Sequence, residues 1–260
     1  MVKHPIDIAL RIPGTWTDVE ELAQAIPNEY QFTGKSLVMP DGSEFVVSVR
    51  PKDSMFVEVF GDTCKLSPTS QELRTLRNYR SQVCLVGSGG SMEQATRVMR
   101  AAVPILKAGG AGVFVDNSVL AFGAKLWCDM AEVCNTDALT FGFVSIVNGK
   151  QECYTVGLHV LGQPDLSMPV ECVGDEGVVM IEMIFKAADH GQSIADGQVV
   201  LVSSGKSFCA QRLLDTKSPE HLPMYNPWGR IHLTPELQPG EMQGSISRRN
   251  AFRRKMLRGM

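Results

Sequence analysis

The chain has 260 residues, 44% of them hydrophobic and 20% charged, with 25 basic and 28 acidic side chains and a formal net charge of −3. A chain of this length can bury a core without covalent staples. The near balance of charge argues against a global attraction to nucleic acid, and 24 glycines with 14 prolines exclude collagen-like and low-complexity classes.

The segment from Met1 to Arg11 alternates Pro5, Asp7 and Arg11 with Ile6, Ile8 and Leu10, so it lacks the unbroken apolar stretch of a secretory signal and reads as a first strand. Elsewhere Lys107 and Glu182 interrupt the apolar runs before the roughly 20 residues a membrane helix requires. The seven cysteines are odd in number and scattered in apolar context, as in Val83-Cys84-Leu85, which fits free thiols in a reducing compartment. A cytoplasmic protein with no membrane contact is expected. There is no Cys-x-x-Cys and no His-x-x-x-His, so neither metal nor cofactor is expected.

In chain order, Asp7 to Pro13 reads as a strand, and Thr15 to Asp18 offers cap oxygens to a helix carrying Val19, Leu22, Ala23 and Ile26. Lys35 to Met39 and Glu44 to Arg50 flank Pro40-Asp41-Gly42-Ser43, a hairpin signal. Met55 to Phe60 reads as a further strand, and Ser67-Pro68 leads into a helix from Gln71 to Tyr79. A first lobe is expected to span residues 1–80.

A second lobe, 81–205, opens with a strand from Gln82 to Val86, a glycine-rich turn and a helix from Met92 to about Lys107, stopped by Gly109-Gly110. Gly112 to Val115 is strand-like, and Asn117-Ser118 can cap a helix through Leu120, Ala124, Trp127 and Ala131. Ala138 to Val147 and Glu152 to Leu161, joined by Asn148-Gly149, form a hairpin because Asn-Gly suits a type I′ turn. Leu166 to Val173 adds a strand, and a helix runs from Asp175 or Glu176 to His190, with Gly191 beyond it. Gln198 to Ser203 is the last expected strand. Residues 206–247 read as an extended proline-rich arm with Tyr225 and Trp228, and 248–260 as a basic tail. That tail holds six basic residues and no acid; it suits a protein surface or, as the less favoured reading, nucleic acid.

Three groups of residues carry possible chemistry. Ser88, Gly89 and Ser91 lie in Gly87-Ser88-Gly89-Gly90-Ser91 between strand and helix, where free N–H groups can hold a phosphate; Met92 stands where a dinucleotide fingerprint needs glycine, so a capped turn is the plainer reading. In Glu152 to Leu161, period-two alternation puts Tyr154, Val156, Leu158 and Val160 on a core face. Cys153, Thr155, Gly157 and His159 then fall on a polar face, with Asp165 close by. Six positions of extended strand separate Cys153 from His159 by roughly 20 Å, too far for a thiolate–imidazole pair. Thr155, His159 and Asp165 are therefore candidates for ligand binding and not for catalysis. Tyr225, Trp228, Arg253 and Arg254 are candidates for partner binding, through packing of the arm on protein.

Tyr154-Thr155-Val156-Gly157-Leu158 followed by Leu161-Gly162-Gln163-Pro164-Asp165-Leu166 resembles a segment of the bacterial domain of unknown function 4261 family, and the strand Ala111 to Val115 before an apolar helix is similar to the same family. The resemblance covers residues 80 to 205 and departs from the pattern at Asp165, where Glu is commoner, and at Ser167-Met168. It implies no activity and no catalytic residue. The sequence as a whole predicts an α+β protein of two similar α/β lobes, with mixed, mainly antiparallel sheets covered by helices and an extended C-terminal arm. The expected role is a non-enzymatic binding or protein-interaction module, regulatory or immunity-like, acting on a protein partner or on a second copy through the arm. The alternative is a small-molecule enzyme or sensor using a cleft near Thr155, His159 and Asp165.

Overall fold

The computed structural model describes residues 6–189, 194–214 and 218–236. The chain is α+β, built on two open sheets. The first sheet opens with β1 (Asp7–Gly14), and helix α1 (Val19–Ala25) follows, its first turn capped by the Asp18 side chain. Strands β2 (Gln31–Phe32), β3 (Ser36–Val38) and β4 (Glu44–Pro51) form a meander, then come helices α2 (Phe56–Thr63) and α3 (Ser70–Arg77). Next are β5 (Ser81–Ser88), α4 (Met92–Ala101), α5 (Val103–Lys107), β6 (Gly112–Val115) and β7 (Leu120–Gly123). The seven strands are ordered β2-β3-β4-β5-β1-β6-β7, all pairs antiparallel.

Helices α6 (Ala124–Val133) and α7 (Thr136–Phe143) lead to the second sheet, made of β8 (Ser145–Asn148), β9 (Glu152–Val156), β10 (Asp165–Pro169), β11 (Val199–Leu201), β12 (Ser207–Leu213) and β13 (Arg230–Pro235), with α8 (Val178–Asp189) between β10 and β11. Its order is β11-β12-β13-β10-β9-β8, antiparallel except for the parallel pair β10–β13. The main core is continuous between the sheets. Ile8, Leu10 and Ile12 of β1 and Ile231 and Leu233 of β13 belong to one buried cluster with Trp127, Phe143 and Met183 of the intervening helices. A smaller cluster of Phe56, Phe60, Tyr79 and Phe114 seals part of the outer face of the first sheet, with Phe56 edge-on to Phe114. No helix among the described residues is long and apolar enough to cross a membrane. All seven cysteines are free thiols.

Several expectations are corrected. Met55 to Phe60 is the start of helix α2, because Phe56 and Phe60, four residues apart, are the buried positions while Val59 is exposed. The long helix from Met92 divides into α4 and α5 because Pro104 has no N–H to continue the ladder. Asn117-Ser118 forms the turn of the β6–β7 hairpin and caps no helix. Ala138 lies in α7, which leaves only Ser145 to Asn148 for the hairpin strand. Gly149 N–H bonds Glu152 O, so Lys150-Gln151 is the turn centre and Asn148-Gly149 stands beside it. The division expected at residue 80 is not a sheet boundary, since β5 lies between β4 and β1. The region read as an extended arm supplies β12 and β13, with β13 an interior strand. Phe208, Ala210, Ile231 and Leu233 alternate inward there and are fully or nearly fully buried, while the prolines fall in the preceding turns and at the end of β13. His190 and the basic tail lie outside the described residues.

Candidate functional site

The site grows from two glycines that break the predicted long strand. Gly157 has φ +111°, and a Cβ on it would stand 2.1 Å from Phe143 O; Gly162 has φ +84°, and its Cβ would stand 2.5 Å from Gly90 O. Only glycine fits both the conformation and the space. Strand β9 therefore stops at Val156, and Leu158–Leu161 winds into a short 3₁₀ turn. The faces of β9 are also reversed from the expected ones: Cys153 and Thr155 point into the core, while Tyr154 and Val156 are half-buried. Burial pushes the Cys153 thiol up from its ordinary value, opposite to what a reactive thiolate needs.

Thr155 and Asp165 meet in the interior. Thr155 Oγ1 donates to Asp165 Oδ1 (2.9 Å) and accepts the Leu166 N–H (2.8 Å). Asp165 Oδ1 also accepts the Leu158 N–H at 3.2 Å. Its Oδ2 accepts from Asn226 Nδ2 at 2.8 Å, and the same amide donates to Gln163 O at 3.0 Å. A buried carboxylate is tolerable when several donors replace water. Here those donors tie the turn after β9 to the segment just before β13. Asn226 Oδ1 in turn accepts the Trp228 N–H (3.0 Å), a local Asx turn that orients the segment.

His159 is 1% exposed. Its Nε2 lies 2.9 Å from Pro223 O, and because a carbonyl only accepts, Nε2 carries the proton. The same oxygen accepts from Asn117 Nδ2 (3.0 Å), which also donates to Asp7 O (3.0 Å). Asn117 Oδ1 accepts the Ala9 N–H at 3.0 Å, which fixes the orientation of the amide. One asparagine in the β6–β7 turn thus fastens β1 to the loop at residues 220–227. Val119, in the same turn, has φ +55°, a strained conformation for a β-branched residue.

Beneath that loop lies a cavity of about 450 Å³. His159 is at its buried floor, Asp7, Glu220 and His221 are exposed at its rim, and Tyr225 is half-buried in its wall. The Tyr225 hydroxyl reaches Glu220 Oε1 at 3.5 Å. Among the described residues its lining carries two carboxylates and no lysine or arginine.

Of the residues singled out in the sequence, His159 and Tyr225 are brought together in this cavity, whereas Thr155 and Asp165 lie in the scaffold behind it. In the Ser88 to Ser91 turn the two glycine donors are occupied: Gly89 N–H bonds Ile6 O (2.7 Å) and Gly90 N–H bonds Val160 O (2.9 Å), while Ser91 Oγ accepts the Gln94 N–H (3.2 Å) as the cap of α4. Trp228 is half-buried, with its ring edge against Gly90 of the same chain. Arg253 and Arg254 lie outside the described residues. Sequence reasoning missed Asn117 and Asn226. Each stands in a polar turn, and that local signal gives no sign of a partner 61 to 110 positions away. Among the described residues no cluster of three or more His, Cys, Asp or Glu could hold a metal ion. Comparison of the chain with family models, with curated proteins and with solved structures finds no match.

Proposed function

We propose that this protein is a non-enzymatic, cytoplasmic binding module whose recognition site is the cavity floored by His159, and that its ligand is a small polar molecule bearing an amino group. The supporting observation is the division of labour between scaffold and rim. Thr155, Asp165, Asn226 and the His159 Nε2–H are engaged in holding the chain, so the enzyme alternative lacks an obvious base or nucleophile among them. The rim offers the carboxylates of Asp7 and Glu220 and the hydroxyl of Tyr225, and among the described residues no opposing lysine or arginine. A concave site with a few convergent polar groups is the usual form of a small-molecule site. The resemblance to the domain of unknown function 4261 family is compatible with this reading through Gly157 and Gly162, the motif positions that shape the floor.

A thermal-shift screen of amine-bearing and acidic metabolites tests the proposal. An amine at about one hundred times its dissociation constant raises stability by about 2.7 kcal/mol; Glu220→Gln removes about half of that shift and leaves the unliganded melting temperature unchanged. Stabilisation by acidic metabolites alone overturns the charge argument. A partner-binding reading draws on a different feature. Edge strand β11 exposes Val199 and Leu201 at 50% and 62%, with Leu214 at 86%, and an apolar sheet edge favours pairing with another chain. Light scattering on the wild type and Leu201→Lys tests it: a dimer that dissociates in the variant supports this second reading, and a monomeric wild type removes it.

A further inference from the structure

A second cavity, of about 510 Å³, lies on another part of the molecule between α7 and α8. Its walls are apolar: Met130, Phe141, Val144, Ile146, Ile184 and Phe185 contribute, and Ile181 of α8 is 40% exposed there. Lys65 enters from the segment after α2. Its ammonium donates to Phe141 O (2.9 Å) and Val144 O (3.1 Å), the carbonyls at the end of α7, and lies 4.4 Å from the centre of the Phe141 ring. These two bonds use two of its three N–H groups. Among the described residues no carboxylate pairs with it. Asp137 is the other charged side chain in the lining; it stands in the first turn of α7, one turn or roughly 6 Å along the axis from Phe141. Among the described residues the groove therefore has one cationic end without a counter-ion.

A lysine that only capped the helix would explain the two carbonyl bonds and leave the apolar walls without purpose. We infer that this groove is a binding site for a small amphipathic carboxylate, its carboxyl group on the third N–H of Lys65 and its hydrocarbon chain along α7 and α8. The volume is within the range of small-molecule pockets. Desolvation already holds the Lys65 amine down at about 8, and a bound carboxylate replaces the water this cation has lost. This site is independent of the His159 cavity.

Calorimetric titration with hexanoate, octanoate, decanoate and decanol, below their micelle concentrations, tests the inference. Each added methylene tightens binding about four-fold until the groove is filled, and decanoate binds about ten-fold or more tightly than decanol at pH 7. In Lys65→Met that preference disappears while decanol binding is retained. Because loss of the cap could loosen α7, Ile181→Glu provides a second variant: an exposed position is changed, the fold is retained by circular dichroism, and decanoate binding is lost. In the wild type the preference for decanoate weakens from pH 7 to pH 10 as the amine loses its proton. Absence of decanoate binding, equal affinity for decanoate and decanol in the wild type, or a preference that survives in Lys65→Met overturns the site.

Discussion

The cavity floored by His159 and the groove headed by Lys65 use charge in opposite ways. Around His159 the buried polar atoms, Asp165 included, are largely bonded to one another and to backbone, so they fix the geometry and leave recognition to exposed groups at the rim. Around Lys65 the walls are mostly hydrocarbon, with Asp137 one helical turn from Phe141, and one partly desolvated cation is left to select what enters. The first arrangement makes the site expensive to alter from behind and cheap to alter at the rim. In the second, shape and affinity come from apolar area, and a single charge sets the preference.

The largest expected effect comes from behind the first cavity. Asp165→Ala strands the Thr155 hydroxyl, the Leu158 N–H and the Asn226 amide, and is expected to cost about 3 kcal/mol or more in chemical unfolding; a loss below 1 kcal/mol would mean that the network is not what holds the loop. Asn117→Ala removes the link between β1 and Pro223 and leaves the Ala9 N–H without its acceptor. Its expected cost is about 2 kcal/mol, with faster amide exchange at residues 220–227 and little change in β4 or β5. By contrast, Val119→Gly relieves a positive φ in the same turn and is expected to stabilise by about 1 kcal/mol. The opposite sign for two substitutions two residues apart separates strain from fastening.

Much of the first sheet was legible in the sequence. β1 and β4 alternate, β5 is a short apolar run, and the Asp18 and Ser91 caps mark α1 and α4, because those signals are local. The second sheet was legible at β9, β10 and β11 and in part at β8. β13 follows a run of prolines, and becomes an interior strand only because β10 pairs with it in parallel across 65 positions of sequence. The site was half legible for a related reason. The glycines at 157 and 162 were visible as residues, but their positive φ turns a strand into a turn, and with it the assumed face of Thr155 and His159. Lys65 carried no signal at all, since the carbonyls it caps belong to a helix that the sequence suggested was a strand.

A further comparison separates the two sites by pH. Desolvation holds Lys65 at about 8 in the folded protein against 10.5 for an ordinary lysine. Between these values the unfolded chain keeps a proton that the native state has shed, so native stability attributable to this group rises with pH across that window. The melting temperature of the wild type relative to Lys65→Met is therefore expected to increase from pH 8 to pH 10.5. A constant difference would show that the amine is not desolvated.

The central claim, that the loop over His159 encloses a ligand site, is tested most directly by backbone amide NMR of the labelled protein titrated with the amine that the thermal screen selects. Saturable shifts are expected at Ala9, His159 and the non-proline residues of 220–225, weakened about ten-fold in Kd by Glu220→Gln, with the amides of α7 and α8 unmoved. Shifts confined to the Lys65 groove or to β11, or no saturable shifts at His159 and 220–225, would contradict it.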